Sequence, residues 1–256
     1  MRLFTVDAFT DTAFKGNPAG VCLLDSPVTD GWMQSVAAEM NLSETAFLLG
    51  DSLRWFTPVV EVTLCGHATL ATAHVLYSTG AATGPVEFRT AGGTLTVNRA
   101  AGDLITMDFP AKEVTPVTVP DGLEKALGAT PVRVGKSDLD LLVEVDSEET
   151  VRTLRPDIPA LSAVEARGVI VTARGTGTDF VSRFFAPQVG VAEDPVTGSA
   201  HCALSPYWSA RLGRTALTGA QLSARGGLVH TRLDGDRVHL AGHAVTILTG
   251  TLLTPR

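Results

Sequence analysis

One succession of signals occurs twice in this chain, half a chain length apart, and that repetition limits the fold more than any other feature. Phe56-Thr57-Pro58 precedes Cys65-Gly66-His67-Ala68-Thr69 and an apolar helix. Phe185-Ala186-Pro187 precedes Asp194-Pro195-Val196-Thr197-Gly198-Ser199-Ala200 and a second apolar helix. Phe56 to Phe185 and Cys65 to Asp194 both span 129 positions, about half of the 256. Each half therefore reads as strand, Phe-x-Pro, loop, small-residue turn, helix, the pattern expected of a duplicated unit. Two such halves predict an active site in a cleft between them.

Length and composition permit this. A chain of 256 residues with 45% hydrophobic and 18% charged side chains is globular in composition and long enough for two halves of about 120 residues each. The net charge of −7 comes without any basic run, which argues against nucleic-acid binding. Apolar runs are short and broken, so no membrane span is expected. The start, MRLFTVDAF, reads as a strand rather than a secretory leader. Cys22, Cys65 and Cys202 are too few and scattered for a disulfide framework or a zinc site. A reducing cytoplasm is the expected location.

Along the chain, Leu3 to Phe9 predicts a strand and Asp11 to Gly16 a turn. Asn17-Pro18-Ala19-Gly20 predicts a further turn before a strand from Val21 to Leu24. Asp30 is the expected cap of a helix from Gly31 to Met40, followed by strands over Ala46 to Leu49 and Arg54 to Thr57. A helix opens at Cys65-Gly66 and ends before Gly80. Val86 to Phe88, Thr94 to Val97 and Leu104 to Phe109 read as a meander. The prolines at 110, 116 and 120 mark the expected crossover, giving halves 1–112 and 113–244. The second half predicts helices at 122–127 (capped by Asp121), 148–154, 160–166 and 199–212. Strands are expected at 139–145, 169–173, 179–185 and around Gln221, Val238 and 245–253.

Candidate chemistry gathers at the two helix starts. Gly66-His67-Ala68-Thr69 and Thr197-Gly198-Ser199-Ala200 place small residues where free N–H groups and the helix dipole favour an anion such as a carboxylate. Glu44, in Asn41-Leu-Ser-Glu-Thr45 between a helix and an apolar strand, suits proton transfer at carbon if half-buried. A solvated loop glutamate fits the spacing as well. Asp194 reads as a cap or as a group that orients substrate, and His67 as a donor to substrate or a local cap. Cys65 reads as a helix-start thiol of lowered pKa or a small buried residue, and Asn17 as a turn residue or one that brings backbone near the cleft. No helical histidine pair, nucleotide fingerprint or nucleophile elbow occurs, so neither a metal nor an organic cofactor is expected.

In order along the chain, Phe4-Thr-Val-Asp-Ala-Phe9, Gly16-Asn-Pro-Ala-Gly20, Asn41-Leu-Ser-Glu-Thr-Ala-Phe47, Cys65-Gly-His-Ala-Thr69, Met107-Asp-Phe-Pro110, Gly190-Val-Ala-Glu-Asp-Pro-Val-Thr-Gly-Ser-Ala200 and Ser223-Ala-Arg-Gly-Gly227 resemble the PhzF-like (phenazine biosynthesis-like) proteins of the diaminopimelate epimerase fold. The resemblance implies an α+β fold of two similar domains, each a mostly antiparallel, barrel-like sheet around a central helix. It implies that the segment at about 245–256 returns to the first half, and that the protein is a homodimer. It makes Glu44 the general acid/base of a cofactor-independent isomerase acting on a small, cyclic or unsaturated carboxylate. Gly66, His67, Asp194, Gly198 and Ser199 become substrate-binding. An amino-acid epimerase and a non-catalytic ligand- or partner-binding protein are the alternatives. The fold's racemases use one cysteine from each half. Here Cys65 is one, but the position matched by spacing is Asp194, which disfavours a two-thiol racemase.

Overall fold

The computed structural model describes residues 1–253. Its contacts group into two compact units, Met1–Asp108 with the residues from Ala241 onward, and Phe109–Leu240. The fold is α+β, with mostly antiparallel strands and few helices.

In the first unit, β1 (Arg2–Ala8), β2 (Asn17–Leu23), β3 (Glu44–Leu49) and β4 (Ser52–Phe56) are successive neighbours. The β2–β3 pair is parallel, with α1 (Asp30–Met40) as its crossover. β5 (Glu61–Val62) pairs antiparallel with β4. After α2 (Gly66–Ser78), β6 (Val86–Thr90) lies parallel to β4, and β7 (Gly93–Arg99) and β8 (Ile105–Pro110) complete a meander. The last strand of the chain, Ala244–Thr251, pairs antiparallel with β1 from Arg2↔Thr251 to Ala8↔Ala244. Residues 254–256, part of the segment expected to return to the first half, lie outside the described residues.

The register sorts the side chains. Leu3, Cys22 and Phe47 are cross-strand partners on the face covered by Met33, Val36 and Ala37 of α1. Alternate positions point the other way, and α2 packs on β1, β2 and β3. Small and apolar residues run continuously through α2, and His67–Ala73 are all buried. A helix with no polar face is one enclosed by protein. Thr69 and Thr72 are tolerated there because their hydroxyls donate back to the Cys65 and Ala68 carbonyls.

The second unit opens with β9 (Thr115–Pro116), α3 (Leu123–Leu127), β10 (Arg133–Lys136) and β11 (Asp140–Glu144). It continues through α4 (Glu148–Thr153), α5 (Ile158–Leu161), β12 (Gly168–Arg174), β13 (Phe180–Ala186) and β14 (Val191–Asp194). It ends with α6 (Gly198–Leu212), β15 (Ala216–Gln221), β16 (Gly227–Asp234) and β17 (Arg237–Gly242). Strict alternation builds two cores on its sheet. Val169, Val171, Val181 and Phe185 pack with α3, α4 and α5 residues such as Leu127, Val151 and Leu161. Ile170, Phe180 and Phe184 pack with Ala200, Leu204 and Trp208 of α6. Burial on both faces explains why β12 reads as a nearly continuous apolar run, while β13 is apolar at both ends with Ser182 and Arg183 between them.

The duplication extends to the pairing pattern. From β1 to β7 the successive partners run antiparallel, parallel, antiparallel, antiparallel, parallel, antiparallel. From β10 to β16 the sequence of pairings is the same. α2 and α6 occupy the same place in each.

Several local expectations need correction. Asn17-Pro18-Ala19-Gly20 is strand, not turn. Pro18 is tolerated because pairing of β2 with β3 starts only at Ala19. Gly20 reflects close approach, since a Cβ there would lie 2.8 Å from the Thr45 hydroxyl oxygen. The cap of α1 is Thr29, whose hydroxyl accepts from Trp32 N–H, not Asp30. α3 starts one residue late, from Gly122 in a left-handed conformation, without an Asp121 cap. The helix expected at 160–166 covers only Ile158–Leu161. Asp157 caps it at Ala160 N–H, and Gln188 takes up the Ser162 and Val164 carbonyls beyond it.

Candidate active site

In the first unit, β2 and β3 run parallel, so their first residues, Asn17 and Glu44, lie at one end of the sheet. α2 begins at the same place, with Cys65 at its cap position and His67 in its first turn. Asn17 is fully buried, and its Nδ2 lies 3.4 Å from His67 Nδ1. The Ser43 hydroxyl donates to Asn17 Oδ1 at 3.2 Å. Cys65 Sγ approaches the same imidazole nitrogen at 3.5 Å. On the other ring nitrogen, His67 Nε2 is 3.3 Å from Glu44 Oε2.

Burial dominates the chemistry of His67. It pushes the imidazole pKa down to about 3, even beside a carboxylate that favours the cation. His67 is thus neutral near pH 7. Its buried Nε2 has no hydrogen-bond partner of adequate geometry among the described residues. Glu44 is close but not aligned. Where Asn17 donates to Nδ1, the proton sits on Nε2, ready for an acceptor. Cys65 and His67 are buried, whereas the Glu44 side chain keeps 20% of its surface exposed. The carboxylate is the most accessible member of the cluster. The Cys65 side chain makes no capping hydrogen bond to α2, so the dipole of its first turn suits an anion.

In the second unit, Asp194 ends β14 and Thr197 holds the cap position of α6. The Thr197 hydroxyl donates to Asp194 Oδ2 at 2.5 Å. Gln221, fully buried at the end of β15, clamps this turn. Its Oε1 accepts from Thr197 N–H at 2.8 Å, and its Nε2 donates to the Asp194 carbonyl at 2.7 Å and to Thr197 Oγ1 at 3.1 Å. The Thr197 oxygen is already an acceptor, so its single proton points at the Asp194 carboxylate. Ser223 secures the next residue by donating to the Pro195 carbonyl. Ser199 Oγ accepts from Arg167, which is held in a two-point pair with buried Asp140 at 2.8 and 2.5 Å. That contact leaves the Ser199 proton free to donate elsewhere. Gly198 opens the helix.

The predicted residues therefore fall into two constellations, Asn17–Glu44–Cys65–His67 in one unit and Asp194–Gly198–Ser199 in the other. Sequence reasoning missed Ser43, Gln221, Arg167 and Asp140. Only Ser43 carried a local signal, its place beside Glu44. One equivalence also changes. By cap position Cys65 corresponds to Thr197, not to Asp194, because the second half inserts three residues before its helix. A thiol partner is absent at either position.

A family model described as phenazine biosynthesis-like protein matches residues 6–250. A Halalkalibacterium halodurans protein named as an uncharacterized isomerase is 50% identical, and the alignment covers 98% of each chain. A crystal structure of a phenazine biosynthesis protein family member from Enterococcus faecalis is 42% identical, with a TM-score of 0.92 over 97% of both chains. A hydroxyproline epimerase from Agrobacterium vitis shares the fold, with a TM-score of 0.65 at 13% identity, over 98% of this chain and 91% of that one.

Proposed function

Because the chain belongs to the phenazine biosynthesis-like protein family, we propose that it moves a proton between carbon atoms of a small, cyclic or unsaturated carboxylate without a cofactor. It is an enzyme of the isomerase class. One observation carries the finer reading: a half-buried carboxylate, Glu44, stands 3.3 Å from a buried neutral histidine whose Nε2 lacks a hydrogen-bond partner among the described residues.

In this reading Glu44 takes a proton from substrate carbon and returns it at a second carbon. Such a step needs the base within about 3 Å of the proton it moves. Charge then spreads through the conjugated acid. His67 Nε2–H donates to the oxygen that gains charge, and a neutral imidazole keeps its own proton while doing so. N–H groups near Gly66 in one unit, and near Gly198 and Ser199 in the other, are each suited to a carboxylate at a helix start. Asp194 orients a substrate donor, since its hydrogen bond from Thr197 favours the ionised form. Asn17 sets the tautomer of His67. The three cysteines, all buried and none in a disulfide among the described residues, support a reducing, cytoplasmic location, and the protein is taken to act as a homodimer without nucleic-acid or membrane partners.

A second reading, epimerisation at an α-carbon, draws on the Cys65 thiol 3.5 Å from His67. Proton exchange in D2O separates the two. An epimerase equilibrates stereoisomers, whereas the isomerase relocates a double bond. Thermal-shift screening against cyclic and branched carboxylates, followed by kinetics of Glu44→Gln and Cys65→Ala, tests the assignment. Normal turnover in the first variant and none in the second transfers the role to the thiol.

A further inference from the structure

Cys65 Sγ, an imidazole nitrogen of His67 and a Glu44 carboxylate oxygen all lie within 4.8 Å of one another. Groups in line with opposite nitrogens of one ring would stand much farther apart. The thiol, 3.5 Å from Nδ1, and the carboxylate, 3.3 Å from Nε2, therefore converge on one side of the imidazole rather than at its opposite ends. This is a mixed sulfur, nitrogen and oxygen donor set, the chemistry that zinc selects over magnesium or calcium. Zinc bonds to nitrogen and oxygen of about 2.0–2.2 Å at a tetrahedral angle place those two atoms about 3.4 Å apart. His67 Nε2 and Glu44 Oε2 are 3.3 Å apart. Nε2 is also the buried ring nitrogen without a hydrogen-bond partner among the described residues.

The surroundings fit as well. A metal-bound histidine donates its other N–H to an oxygen that fixes the ring. Asn17 stands at Nδ1 and Ser43 at Asn17. With its amide turned over, Asn17 Oδ1 accepts from Nδ1–H and Nδ2 donates to the Ser43 hydroxyl, so the same pair serves the ligating tautomer. The sequence offered no sign of this, because the ligands come from β3 and from the start of α2 rather than from one helical spacing.

We infer that Cys65, His67 Nε2 and Glu44 form a binding site for a thiophilic divalent cation, with zinc as its ion and a fourth position open to water or an anion. Its consequence for turnover rests on the role proposed for Glu44. An ion there occupies the carboxylate that would carry the proton, so zinc inhibits rather than assists.

The binding test needs no substrate. Zinc titrated into the purified, chelator-treated protein is followed by calorimetry, and cobalt(II) by absorption. The expected result is one ion per chain and a near-ultraviolet thiolate-to-cobalt band. The band disappears in Cys65→Ser and persists in Cys22→Ala and Cys202→Ala. Zinc affinity falls in Glu44→Gln, and by about 10–100-fold in Asn17→Ala. Absence of stoichiometric binding in the unaltered protein overturns the inference, as does a band that survives Cys65→Ser in a protein whose circular dichroism is unchanged. If zinc binds as described but turnover is unaffected, the site stands and the role given to Glu44 falls.

Discussion

Replacing Gln221 by methionine tests whether the second constellation is held as its geometry indicates. The side chain keeps its length and apolar stem but loses one acceptor and two donors. In the native protein these serve Thr197 N–H, the Asp194 carbonyl and Thr197 Oγ1. The Thr197 hydroxyl still has Asp194 as acceptor. The change therefore orphans one buried N–H, at about 1–3 kcal/mol, and one carbonyl in a half-buried residue, at about 1 kcal/mol. The sum is about 2–4 kcal/mol, a large share of ordinary domain stability. For a chain of this size that lowers Tm by roughly 4–16 °C. Trp208 lies in the core of the second unit, so a Trp32→Phe, Trp55→Phe background makes its fluorescence report that unit alone. Gln221→Glu keeps the acceptor for Thr197 N–H. Burial holds its acid protonated, so it loses one donor and costs about 1 kcal/mol. A loss below about 0.5 kcal/mol in Gln221→Met, or a loss in Gln221→Glu as large as that in Gln221→Met, refutes the clamp.

Other outcomes follow from the same geometry. Glu44→Gln should keep the fold and ligand binding but lower kcat at least about a hundredfold, the scale of a general acid/base contribution; steady-state kinetics on an identified substrate decides it. Asp194→Asn should raise KM at least as much as it lowers kcat. Burial depresses His67 to about 3 and His201 to about 4, so the unfolded chain binds more protons than the folded one below pH 6.5. Stability should be full above about pH 6.5 and fall by several kcal/mol as the pH drops toward 3–4, which urea unfolding across pH measures. In the same range, nitrogen-15 shifts should report His67 neutral at pH 5; a cationic ring there contradicts the neutral donor assigned to the mechanism. Excess chelator should leave turnover intact, and a loss of activity on metal removal would contradict the cofactor-free reading.

Much of this was legible in the residues. The two central helices announce themselves because they are apolar all round and stop at Gly80 and Gly213, both left-handed in the structure. The strands of the double core were readable for the same reason. What sequence could not supply was tertiary competition. Nothing in the sequence shows where β3 begins to pair beside Pro18, or that Gln188 would claim the carbonyls needed to prolong α5. Strand β16, not among the expected strands, was readable too, since Val229, Thr231 and Leu233 alternate with His230, Arg232 and Asp234, but its few large apolar residues make the signal weak beside its neighbours. Within the site, Glu44, His67 and Asp194 stood out by chemical type. Gln221 and Arg167 did not, because an amide or guanidinium gains its role only from what the fold places beside it. Equal spacing also misled. A count of 129 residues aligned Cys65 with Asp194, whereas helical phase aligns it with Thr197.

The pairing of β1 with the strand Ala244–Thr251 has a consequence for biogenesis. The second unit is contiguous in sequence and can fold as soon as it clears the ribosome. The first unit cannot. Its amino-terminal strand is synthesised first and waits, with one edge unpaired, through the translation of about two hundred further codons. At usual elongation rates of about 5–20 residues per second that interval lasts on the order of ten seconds or more. During it the nascent chain displays an open β edge, the kind of surface that chaperones bind and that aggregates nucleate on. A stalled or prematurely terminated message would release a finished second unit tethered to an unfinished first one.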